Sequence, residues 1–169
     1  MKHQTRGFSL IELLIVVAII LIIAAMAVPN LLRARISANE ASAANSVRKI
    51  ATAEVAYSTT FPTVGYASDL GALGGPASGC TPSTSASCIL DSVLSSGTKS
   101  GYQFVAPGFA GSGGINISFV GGSNPVTFNQ TGIRNFCITN DGVLRGLTPA
   151  AAAPAPSNVA ECLAYGSVQ

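Results

Sequence analysis

Glu12 is the one ionisable residue in an apolar run that extends from Phe8 to Val28. An ionised side chain at the centre of a bilayer costs roughly 2.5–3.5 kcal/mol on insertion scales, so a carboxylate in such a run needs a partner or a task. Its place near the start of the run points to assembly, because a subunit escapes the penalty when it packs against a copy of itself. Other reactive residue types are scarce. The only histidine is His3, in a short basic leader, Met1-Lys2-His3-Gln4-Thr5-Arg6. If that leader is removed after Gly7, the chain has no imidazole for Ser-His-Asp or Cys-His chemistry and lacks the commonest metal ligand. There is no phosphate-binding motif either, and the sequence reads as that of a non-enzyme without a cofactor.

The remaining candidates are four cysteines, Cys80, Cys88, Cys137 and Cys162. No C-x-x-C spacing occurs among them, which argues against zinc or redox chemistry and for two disulfides in an oxidising compartment. Three connectivities are open. Cys80–Cys88 and Cys137–Cys162 are favoured because each closes a local loop. Asp69, Asp91 and Asp141 are scattered and form no calcium-loop pattern, so no metal site is expected. Lys99, Arg134 and Arg145 could form a small basic patch for nucleic acid if the fold gathers them, although a solvated face accounts for them as well. The formal charge of +2 comes from nine Lys and Arg against seven Asp and Glu. Without Lys2 and Arg6, seven oppose seven, so no strongly basic surface is expected. Asn116-Ile117-Ser118 and Asn129-Gln130-Thr131 match the N-linked sequon but fall in an expected strand region and are discounted.

These residues need elements to place them. Phe8–Val28, as helix, spans about 31 Å at 1.5 Å per residue, close to the hydrocarbon thickness of a bilayer. Pro29 removes one helical hydrogen bond and crowds the preceding turn, so a kink or local opening is expected near Ala25–Pro29. Helix resumes at Asn30, with Leu32, Ile36, Ala43, Val47, Ile50 and Tyr57 forming one apolar stripe. Arg33, Arg35, Glu40, Arg48, Lys49 and Glu54 supply its charged positions. Phe61-Pro62 ends this helix, since a residue before proline is pushed out of helical geometry.

Residues 60–101 read as irregular, with one short helical turn at Leu90–Leu94. Short strands are expected at Tyr102–Val105, Ile115–Val120, Val126–Phe128, Asn135–Thr139 and Val143–Leu147. Gly121-Gly122 and Asn140-Asp141-Gly142 act as separators, the latter as a type I′ hairpin turn. Thr148–Ser157 is an extended Pro/Ala loop, tied back by Cys162. The division is therefore 1–7 leader, 8–29 apolar helix, 30–59 amphipathic helix, 60–101 connecting loop, 102–147 antiparallel sheet and 148–169 closing loop. The fold class is α+β, a long helix whose first half spans a membrane and whose second half packs on a small antiparallel sheet.

Gly7-Phe8-Ser9-Leu10-Ile11-Glu12-Leu13-Leu14-Ile15-Val16-Val17-Ala18-Ile19-Ile20 resembles the class III signal of type IV pilins and the pseudopilins of type II secretion. The resemblance covers about the first 30 residues and implies a history for the chain. A prepilin peptidase cuts between Gly7 and Phe8 and methylates the new Phe8 amine. The precursor is a single-pass protein of the inner membrane. An inner-membrane assembly platform then builds it, with other copies, into an extracellular surface filament. Glu12 pairs with the Phe8 amine of a neighbour, and Pro29 marks where the helix opens. Many members carry a glycine midway along the block. Here Leu21 stands in that place, so any opening is expected to be short and centred on Met26–Pro29. In the uncleaved chain Phe8 has no free amine, and Glu12 is expected without that partner. A type IV pilus subunit used in adhesion, motility or DNA uptake is the favoured function, and a type II secretion pseudopilin is the alternative. An aromatic electron path is not expected, because no aromatic lies between Phe8 and Tyr57.

Overall fold

The computed structural model describes residues 8–168; Gly7 and the rest of the expected leader lie outside the described residues. The chain divides into two compact units, one ending at Arg35 and the other beginning at Ile36. One helix, α1 (Leu10–Thr60), contains Pro29 without a break. Of the expected kink or local opening near Ala25–Pro29, the opening is not seen in the single chain, where these residues are helical. Proline deletes a single i→i−4 bond, and the Asn30 side-chain amide donates to the Met26 carbonyl at 3.1 Å, which supports the weakened turn. The helix stops at Thr60, where Phe61 closes the last turn onto the Tyr57 carbonyl just before Pro62.

After α1 come two one-turn helices, α2 (Leu70–Leu73) and α3 (Ser92–Ser95), capped by Asp69 and Asp91 respectively. Each cap carboxylate accepts from a backbone N–H of the first turn, the ordinary way to satisfy an orphan donor. The strands are β1 (Thr98–Lys99), β2 (Tyr102–Val105), β3 (Gly108–Ala110), β4 (Asn116–Pro125), β5 (Asn135–Thr139) and β6 (Arg145–Leu147). A short helix α4 (Val159–Leu163) and strand β7 (Gly166–Ser167) follow. The named strands all pair antiparallel, in the order β1-β2-β4-β5-β6-β7, with β3 alongside the first half of β4. The protein is thus α+β, a long helix packed on an antiparallel sheet.

Strand β4 departs from expectation. Gly121-Gly122 are not a turn but the buried middle of a ten-residue strand, and Val126–Phe128 is not a strand. The reason is packing. A Cβ on Gly121 would stand 3.1 Å from Ile138 Cγ2 and 3.2 Å from Ile50 Cγ2, so its absence lets α1 approach the sheet. On the other face, a Cβ on Gly122 would lie 2.7 Å from the Pro156 carbonyl. The β5–β6 hairpin forms, but only Gly142 has positive φ, at 72°, so the turn is not type I′. Asp141 shapes it instead, accepting from Thr139 Oγ1, the Val143 N–H and the Arg145 guanidinium.

Each face of the sheet has its own cover. Ala43, Val47, Ile50 and Tyr57 of α1 meet Tyr102, Phe104, Phe119, Phe136 and Ile138. Leu32 of the predicted stripe is exposed and Ile36 half-buried. Behind the sheet, Val120 and Cys137 pack with Cys162, Phe109, Val159 and Tyr165. Bonds join Cys80 to Cys88 and Cys137 to Cys162. Asn135 donates its side-chain amide to the carbonyls of Ala153 and Pro154, pinning the extended closing loop.

Candidate functional site: an apolar helix carrying one carboxylate

From Phe8 to Leu32 the large apolar side chains are exposed, with Phe8 at 82%, Leu10 at 76% and Met26 at 70%. The most apolar 18-residue stretch of α1 has a mean hydropathy of 3.1, and none of it is buried within the chain. A soluble helix shows water one polar face. This segment has none, so it must be covered by lipid or by other protein. Glu12 sits in its first turn, and its Oε2 accepts the Ser9 backbone N–H at 3.0 Å. In the uncleaved chain the carboxylate thus has a partner within its own backbone, which is not the neighbour's Phe8 amine. The sequence held the signal for it, a serine before the helix and a glutamate three residues on.

The other charged positions of α1 are not uniformly solvated. Glu40 is 8% exposed and accepts three hydrogen bonds, from the Ile133 and Arg134 N–H groups and from Arg134 Nε. Glu54 is wholly buried, with Oε2 accepting the Ala67 N–H and Oε1 unpartnered. Burial pushes its carboxyl up to about 8, the Ala67 bond pulls it down, and Asp69 adds to the rise. Both residues lie on the apolar stripe, four residues after Ile36 and Ile50 respectively, and fasten α1 to the segments that cross it; the spacing places them there, and distant chain supplies their partners.

Lys99 pairs with Asp91 at 3.5 Å, Arg134 with Glu40 at 3.0 Å and Arg145 with Asp141 at 2.6 Å. Each member of the expected basic patch thus has an acidic partner, and nothing in the pairings favours a phosphate-binding face. Asp69, Asp91 and Asp141 cap or brace separate turns. No group of three His, Cys, Asp or Glu side chains gathers among the described residues.

Residues 2–28 match the family model described as the prokaryotic N-terminal methylation motif. A stretch of 38 residues is 60% identical to the type IV wide pilus major component PilA4 of Thermus thermophilus, covering 22% of this chain and 29% of that protein. The similarity thus spans less than a third of the curated relative. No solved structure matches the chain. The amino-terminal segment thus carries a prokaryotic N-terminal methylation motif, joined here to an α+β head.

Proposed function

We propose that this chain is a structural subunit of a type IV pilus. The reading rests on one observation above all: a single carboxylate in the first turn of an apolar helix that its own chain leaves uncovered. Before assembly, the segment lies across the inner membrane with the basic leader on the cytoplasmic side, as the positive-inside rule requires. A prepilin peptidase cuts between Gly7 and Phe8 and methylates the Phe8 amine. An inner-membrane platform then transfers the subunit into a homopolymer that leaves the cell surface.

In the filament Phe8–Val28 of many copies form the shared core. Glu12 meets the Phe8 amine of a neighbour. Two opposite charges about 4 Å apart attract by roughly 4 kcal/mol at an effective dielectric near 20, before desolvation is subtracted. The pair also sets register, since one axial offset satisfies both charges. Intact mass of filaments sheared from cells tests the processing steps. The expected product lacks residues 1–7, carries one added methyl group and is four hydrogens lighter than the reduced chain. An unprocessed mass, or the absence of long surface filaments that depend on this gene, rejects the reading.

A further inference from the structure

Glu12 is held before any neighbour arrives. Helix α1 begins at Leu10, so Ser9 is its cap residue and Glu12 its third residue. The Ser9 N–H donates to Glu12 Oε2 at 3.0 Å, and the first backbone bond runs from the Leu13 N–H to the Ser9 carbonyl at 3.3 Å. This is the carboxylate half of a capping box, in which a Glu or Gln three residues into the helix reaches back to the N–H of the cap residue. The first N–H groups of any helix lack intrahelical partners. Inside a bilayer no water replaces them, and each orphan is costly. A carboxylate in the first turn also meets the positive end of the helix dipole.

We infer that Ser9 orients Glu12: its N–H holds Oε2 against the helix end and leaves Oε1 as the oxygen presented outward. Among the described residues Oε1 accepts no hydrogen bond, so the capped carboxylate can take a cation without releasing its own backbone. Glu12 then has two separable roles. The cap needs an acceptor but no charge, whereas the pairing with a neighbour's amine needs the charge. That second role rests on the pilus-subunit reading above, and the cap does not.

The test uses the full chain in phospholipid nanodiscs, with amide exchange at Ser9 followed by NMR for the native chain, Glu12→Gln and Glu12→Ala. A glutamine oxygen caps as glutamate does, so Glu12→Gln is expected to keep the Ser9 exchange rate within about twofold. Glu12→Ala should raise it about five- to tenfold, the ordinary effect of losing one hydrogen bond to a backbone N–H. Equal rates in the native chain and Glu12→Ala overturn the cap. In cells, Glu12→Gln should yield no filaments although its Ser9 amide stays protected. Normal filaments from Glu12→Gln would sink the ion-pair reading and leave the cap standing. In a map of the native filament the Ser9 N to Glu12 Oε2 contact should persist, and a Glu12 side chain turned away from Ser9 overturns the orienting role.

Discussion

Two glutamates fourteen residues apart on α1, Glu40 and Glu54, act as clamps, and their contrast is chemical. Glu40 meets a guanidinium and two N–H groups, whereas buried Glu54 meets one N–H and has its Oε1 unpartnered. With its carboxyl near 8 rather than 4.5, Glu54 keeps its proton in the folded chain at a pH where the unfolded chain has lost it. Folding then takes up a proton, so the stabilisation is complete below about pH 4.5 and is lost as pH rises to about 8. Thermal melts of the detergent-solubilised chain between pH 5 and 9 should show this decline. Glu54→Gln should flatten it, and an equally steep decline in that variant would exclude Glu54 as the cause. Glu40→Ala strands two backbone donors and the Arg134 charge, and should cost about 2–4 kcal/mol in urea titrations. The partners of neither clamp were legible in the sequence, although both glutamates fall at the three- and four-residue spacing of the stripe Ile36, Ala43, Val47, Ile50 and Tyr57 and so on its buried face.

At the scale of elements, strand β4 carries the main lesson. Paired glycines between apolar runs ordinarily signal a turn. Here they thin the sheet so that Ile50 can lie against one face and the Pro156 carbonyl against the other. Gly121→Val should therefore push α1 away from β4 and β5 and cost about 1–3 kcal/mol by overpacking. A melting temperature unchanged from the native chain would contradict that close approach. Pro29 teaches the converse. A proline is a strong local signal, yet α1 continues through it because one missing hydrogen bond is a small loss in a 51-residue helix. The three scattered aspartates also serve local structure, with Asp69 and Asp91 spent on helix caps and Asp141 on a turn.

For the whole molecule, the two disulfides close loops of different length, with sequence separations of 8 and 25. In the chain-entropy model they restrict the unfolded state by about 2.5 and about 3.5 kcal/mol respectively. Replacing Cys137 and Cys162 together by serine should lower the melting temperature more than replacing Cys80 and Cys88. The closing loop should also loosen, because the bond anchors the cover over the back of the sheet. A larger loss from the Cys80–Cys88 pair would show that the small loop matters for packing rather than for chain entropy. The front of the sheet keeps its α1 contacts in either variant, so loss of the rear cover should leave Tyr57 and Tyr102 buried.

The amino-terminal sequence by itself determined the apolar segment, its length, the isolation of Glu12 and the end of α1 at Phe61-Pro62. These are local properties: an apolar run of bilayer length and a residue before proline mean the same wherever they occur. Tertiary structure alone decided that Gly121-Gly122 lie inside a strand, which backbone groups Glu40 and Glu54 hold, and that Lys99, Arg134 and Arg145 each have an acidic partner. It also showed that the closing loop covers the back of the sheet. Each of those depends on which distant segments come within a few ångströms of one another, and neither composition nor periodicity carries that information. The Ser9–Glu12 contact lies between the two. Its residues stand at capping-box spacing in the sequence, but the start of α1 at Leu10 is what turns that spacing into a hydrogen bond.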